Sequence, residues 1–149
     1  MKKLIKLTSL ILILSLCLTA VACSSYGKLE KAFTNEGYTV SQSLDDMADT
    51  IKGELEEEDL AITLHGLEKK DGLKSDFVLI IEFKSTDELV KAYKESDSLK
   101  GVISDIQDSE ETKELYNSLV EEGFANGNCL VFSVNPLNRS SVCEIVKGA

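Results

Sequence analysis

A chain of 149 residues has the length of one ordinary domain and can bury a core without staples. Its formal net charge is −10; the first 22 residues carry Lys2, Lys3 and Lys6 and no acid, so from Cys23 onward 13 basic side chains stand against 26 acidic ones, a net −13. That balance excludes nucleic acid as a partner and opposes charge-driven adhesion to anionic lipid, because either would be repelled.

The amino terminus reads as an address. "MKKLIK" is a short basic region, and "LTSLILILSLCLTAVA", Leu7 to Ala22, is an apolar run of 16 residues. A spanning helix needs about 20 apolar residues, and no basic stop-transfer cluster follows, so residues 1–22 are expected to be a secretory signal. The small residues Ala20, Val21 and Ala22 lead directly into Cys23, and Ser24 and Ser25 continue as a polar tether over residues 23–27. This segment resembles the lipobox of bacterial lipoproteins, with Ala20 standing where leucine is commonest. The alternative cysteine, Cys17, follows Leu16, which is too bulky for the cleavage position. The resemblance covers about the first 25 residues. It implies removal of residues 1–22, a diacylglycerol on the Cys23 thiol, and residence on the extracytoplasmic face of a cell membrane. Two acyl chains give a stable anchor where one is marginal.

Residues 28–149 are expected to form one domain. "YGKLEKAFTNEGYTV" sets Leu29, Ala32 and Phe33 at helical spacing, with Gly37 as the left-handed C-cap and "YTVSQ" leaving as a strand. Ser43 and Asp46 open a second helix whose stripe is Leu44, Met47, Ala48, Ile51 and Leu55; the acids of "ELEEED" oppose its dipole at the end. "LAITLHGL" alternates as a half-buried strand, "EKKDGLKSD" is a polar loop with an Asp-Gly turn signal, and "FVLIIEF" is a central strand, the two strands pairing as a hairpin. Ser85 with Glu88 caps a helix carrying Leu89, Ala92 and Tyr93. Leu99, Val102, Ile103 and Ile106 mark the next, and Ser109 opens a third that runs through Leu115, Tyr116, Leu119 and Val120 to Gly123. "NCLVFSV" and "SVCEIV" then read as two strands about the break at Asn135-Pro136. The expected class is α+β: an antiparallel sheet of four or five strands with helices mainly on one face, in a single small domain. "LEKAFTNEGY" and "LYNSLVEEGF" echo each other. Similar glycine-capped helix ends account for this more simply than a duplicated half-domain does.

Chemistry-bearing residues are few. Most carboxylates lie in runs that read as solvated helix faces; Glu82 alone interrupts the apolar strand, sharing parity with Val78 and Ile80 near the strand end. His65 is the one histidine, so His-rich metal sites are excluded, and no serine has a nucleophile elbow. On the polar face of its strand, His65 reads as an exposed or edge side chain. No EF-hand loop and no phosphate-binding glycine loop occur, and neither cofactor nor metal is expected. With the signal removed and Cys23 acylated, Cys129 and Cys143 are the remaining thiols. Each lies seven residues from Pro136, so a hairpin of the two last strands could set them face to face. Outside the cytoplasm such a bridge would persist, stabilising by about 3 kcal/mol for a loop of about 15 residues. "NPLNRSS", with Arg139, is the candidate interaction loop. The expected function is a membrane-anchored module that binds a protein or small-molecule partner or supports the envelope; the opposing class is a small extracytoplasmic hydrolase working through carboxylates.

Overall fold

The structure, a computed structural model, describes residues 24–41, 53, 61–72, 74–103 and 111–149. The signal segment, Cys23, the helix read over Ser43–Leu55, Ile106 and Ser109 lie outside the described residues. Helix α1 spans Ser25–Asn35 and leads to β1, Thr39–Val40; β2 (Ile62–Asp71) and β3 (Lys74–Phe83) follow. Three helices come next, α2 (Thr86–Glu95), α3 (Asp97–Val102) and α4 (Thr112–Glu122). The chain ends with β4 (Ala125–Asn126), β5 (Cys129–Ser133), a 3-10 turn at Pro136–Asn138 and α5, Arg139–Lys147.

The five strands form one antiparallel sheet in the order β1-β2-β3-β5-β4. Its backbone is the β2–β3 hairpin, ten pairs long from Ile62↔Phe83 to Asp71↔Lys74 and turned at the Asp-Gly step with Gly72 at φ 61°; the stretch expected as a polar loop is instead paired strand up to that turn, its polar side chains exposed or partly exposed. The fold is therefore the single small α+β domain with an open antiparallel sheet expected from the sequence.

Period-two alternation on β3 explains how the sheet is covered. Leu79, Ile81 and Phe83 face one side, where with Leu130 and Phe132 they meet α2, α3 and α4. Val78 and Ile80 face the other, where with Leu67 and Val131 they meet Leu29 and Phe33 of α1 and Val142 and Val146 of α5. The larger group of helices gathers on one face, and the second face is apolar enough on β3 and β5 to require α1 and α5 over it.

Both echoed segments are helix ends of one design. Gly37 and Gly123 adopt φ 89° and 82°. The Tyr38 amide donates to the Phe33 carbonyl and the Phe124 amide to the Leu119 carbonyl, while each glycine amide reaches the carbonyl three residues back. These are Schellman closures, and they cap helices on opposite faces of the sheet.

The last element differs from expectation: "SVCEIV" is helical, part of α5. Its valines and isoleucine favour strands taken singly. Yet Val142, Cys143 and Val146 bury at helical spacing while Ser141, Glu144 and Lys147 stay exposed, and packing decides between the two periods. Pro136 starts the preceding 3-10 turn, where the Asn135 side chain accepts from the Leu137 amide at 3.1 Å. The fifth strand is instead β4, a two-residue strand ahead of the Gly127 turn that the sequence did not announce. Among the described residues no helix is long and apolar enough to cross a membrane.

Candidate functional site

The polar residues that stand out come together on the α1/α5 face, at the end of the sheet where the described chain begins. In the β2–β3 ladder Thr63 pairs with Glu82 and His65 with Ile80. His65 and Glu82 are therefore diagonal neighbours on one face, within reach of long side chains. His65 Nε2 lies 3.0 Å from Glu82 Oε2, with the side chains 20% and 26% exposed. Glu82 is thus half-solvated near its strand end, as its parity implied. His65, expected as an exposed or edge side chain, is only 20% exposed, and its ring is held on two sides.

The second hold is Tyr26, in the first turn of α1. Its ring stacks on the imidazole with centroids 3.5 Å apart and planes 12° from parallel. Burial pushes the Tyr26 hydroxyl up to about 12, helped by Glu30, to which it is hydrogen-bonded, and by Glu82 and Cys129. Tyr26 escaped the sequence reading although it lies three residues before Leu29 and seven before Phe33, the spacing of one helical face.

Cys129 lies beneath this cluster, opposite Glu82 in the β3–β5 ladder. It is fully buried; burial, then Glu82, pushes its thiol up to about 12. A nucleophilic or redox cysteine needs the thiolate, and this environment keeps the proton on. Cys143 is likewise buried and its thiol raised, by burial ahead of the opposing influence of Arg139 and Lys147. Both are free thiols. The bridge expected between Cys129 and Cys143 rested on a terminal hairpin. Cys143 instead lies on α5 and packs with the α2–α4 core, whereas Cys129 packs on the opposite face.

The start of α1 is fastened tightly. Ser24 is its N-cap, its Oγ accepting from the Gly27 amide at 3.0 Å. Ser25 sits against the β4–β5 turn so closely that a Cβ on Gly127, at φ +56°, would lie 1.8 Å from Ser25 Oγ. That turn is itself held: Tyr116 Oη donates to the Gly127 carbonyl at 2.9 Å, the Phe83 amide donates to the Asn128 carbonyl at 2.9 Å, and the Asn128 amide group donates to the Phe83 carbonyl.

An imidazole paired with a carboxylate is the orienting half of a nucleophile relay. Here Tyr26 covers the imidazole face, and the thiol below stays protonated. The arrangement can accept and donate hydrogen bonds and hold α1 to the sheet. Among the described residues no group of three or more His, Cys, Asp or Glu is placed to hold a metal ion. At the other end of α1 a shallow groove of about 440 Å³ opens between Asn35 and Glu36 on α1 and Glu144 and Ile145 on α5. In the "NPLNRSS" loop Leu137 is 90% exposed, while Arg139 lies over the Phe124 ring at 4.8 Å and so belongs partly to the core surface.

Comparison of the chain with protein-family models, with curated proteins and with solved structures gives no match.

Proposed function

We propose that the protein is a lipid-anchored extracytoplasmic bacterial lipoprotein, held at the cell membrane through Cys23, whose domain works by binding a protein or small-molecule partner or by supporting the envelope. The anchor reading draws on the lipobox-like residues Ala20 to Cys23, and the first described residues after them are already held in the domain. Ser24 caps α1, Ser25 packs under Gly127 and Tyr26 stacks on His65. The binding reading draws on the α1–α5 groove and on exposed Leu137, features suited to contact.

Intact-mass measurement of membrane-extracted protein tests the anchor. The expected species begins at Cys23 and carries a diacylglyceryl group, and Cys23→Ser should give either unprocessed precursor or protein that no longer partitions into detergent. An unmodified Cys23, or unchanged partitioning of the variant, would sink the proposal.

The alternative, a small hydrolase, draws on the Glu82–His65 pair at 3.0 Å. It requires that His65→Ala abolish an activity in the folded protein. A partner that binds wild type and His65→Ala equally, with no turnover by either, would decide for the binding module.

A further inference from the structure

We propose that the end of the domain built from the first turn of α1 and the β4–β5 turn, Asn126–Asn128, is seated against the lipid headgroups, leaving the β2–β3 hairpin tip at the aqueous end. The inference rests on the lipid-anchor reading and adds an orientation to it. Three observations converge on this end.

The first is the missing stalk. Ser24 is already the N-cap of α1, so one peptide step of about 3.8 Å separates its Cα from that of Cys23. A flexible tether would need many residues to lift a domain clear of the bilayer, and none stands between the anchor residue and the fold.

The second is the contact between Ser25 and Gly127. With a Gly127 Cβ reaching to 1.8 Å of Ser25 Oγ, the start of α1 has no clearance from the turn. The turn is clamped by Tyr116 and by the two Phe83–Asn128 hydrogen bonds, so it follows α1 rigidly wherever Cys23 is held.

The third is the chemistry of this end. The turn holds Asn126, Gly127 and Asn128. Phe83, paired to Asn128, leads into exposed Lys84, and Val146, whose carbonyl accepts from the Asn126 amide at 3.5 Å, leads into exposed Lys147. Lys147 is paired with Glu144 at 3.0 Å, Glu30 and Glu82 lie beside Tyr26, and both asparagine amides are spent on backbone carbonyls, so this end carries charges of both signs. The tether, and not attraction, brings this surface to the membrane, since the net charge would oppose anionic lipid. The opposite end is distant: Glu82 to Lys74 spans eight strand residues, about 26 Å at roughly 3.3 Å per residue.

The test uses the full lipidated protein in phosphatidylcholine vesicles that carry a quencher on the headgroup. An environment-sensitive fluorophore is placed through Asn126→Cys or Lys84→Cys at the near end, and through Ser75→Cys or Leu137→Cys at the far end. Unsubstituted protein gives the background from Cys129 and Cys143. Both near-end labels should be quenched several-fold more than both far-end labels, in samples that float with the vesicles. Equal quenching at the two ends with flotation intact would overturn the seat and leave the anchor standing. Failure of the unsubstituted protein to float would overturn the anchor, and the seat with it. Should Asn126→Cys not fold, exposed Lys84 carries the same comparison.

Discussion

The two faces of the sheet are built for different tasks. The face under α2, α3 and α4 gathers sixteen buried residues among those described, all apolar apart from the Tyr93 hydroxyl, which is spent on the Ile103 carbonyl. The face under α1 and α5 gathers ten, and toward the start of α1 it turns polar, with Tyr26, His65 and Glu82 lying over Cys129. Fully burying a large apolar side chain contributes about 1.5–3 kcal/mol, so among the described residues the first face contributes the larger share of burial. The second fastens the chain's first helix, and does so partly with groups whose strength depends on pH and on neighbours.

A large effect is expected where the two faces are joined. At Gly123, φ +82°, a Cβ would lie 2.5 Å from the Cys143 carbonyl oxygen, a backbone atom of α5. Gly123→Ala should therefore cost about 2–4 kcal/mol by adding strain to a forced backbone shift, read by denaturant melts. At Gly127 the same substitution meets Ser25 Oγ, which can rotate away, and Ser25 Cβ at 2.7 Å, which moves only with the start of α1, and should cost less, about 1–2 kcal/mol. Equal costs would mean that the α4–α5 junction is softer than its geometry implies.

Next come the cores themselves. Leu119→Ala and Leu29→Ala each remove a fully buried leucine and should cost about 2–5 kcal/mol. Their hydrogen-exchange patterns should differ: Leu29→Ala should lose protection in α1 first, and Leu119→Ala throughout the sheet and helices together. Identical patterns would erase the distinction between the faces.

The polar end gives smaller effects. A double-mutant cycle on Tyr26→Ala and His65→Ala should return a coupling of about 0.5–1.5 kcal/mol for the stacked rings; a coupling of zero would reduce the stack to proximity. Alkali acts on the same cluster. Tyr26, ordinarily near 10.0, and Cys129, ordinarily near 9.0, are both raised to about 12, so the fold favours their protonated forms. Their contribution is complete below about pH 9, where both states hold the proton, and is lost as pH rises toward 12. The 295 nm tyrosinate signal should lag free tyrosine, with unfolding following it. Titration at the ordinary value in folded protein would break this account. Across that lower pH range neither native thiol should react rapidly with a thiol reagent, and both should react on unfolding; one that stays blocked without reductant would restore the disulfide. The smallest effect is expected at Leu137, 90% exposed, where alanine should change stability by less than about 0.5 kcal/mol.

The middle of the β2–β3 hairpin is legible because "LAITLHGL" alternates and "FVLIIEF" is a short apolar run, while its polar ends around the Asp-Gly step read as loop; the Schellman ends are legible because glycine and an aromatic recur at fixed offsets. The stretch "SVCEIV", Ser141 to Val146, reads as a strand because a short apolar run satisfies either period until something packs on it; the hairpin expected to set Cys129 against Cys143 rests on that strand, and the structure holds both as free thiols. Glu82 and His65 each drew notice, but their partnership depends on the diagonal register of two strands, which no local pattern contains. Tyr26 carries no local signal of its role, because its spacing with Leu29 and Phe33 reads as core alone.

The short span between Cys23 and the Ser24 cap has a consequence for encounter. A protein on a long flexible stalk samples a volume, and its effective concentration for a partner falls as the stalk lengthens. With the cap one peptide step from Cys23, the acylated protein would sample a thin layer, and the hairpin tip would reach about 26 Å above its anchored end. Partners fixed in the same membrane would meet it by lateral diffusion within that layer, and soluble ones would first have to come down to the bilayer.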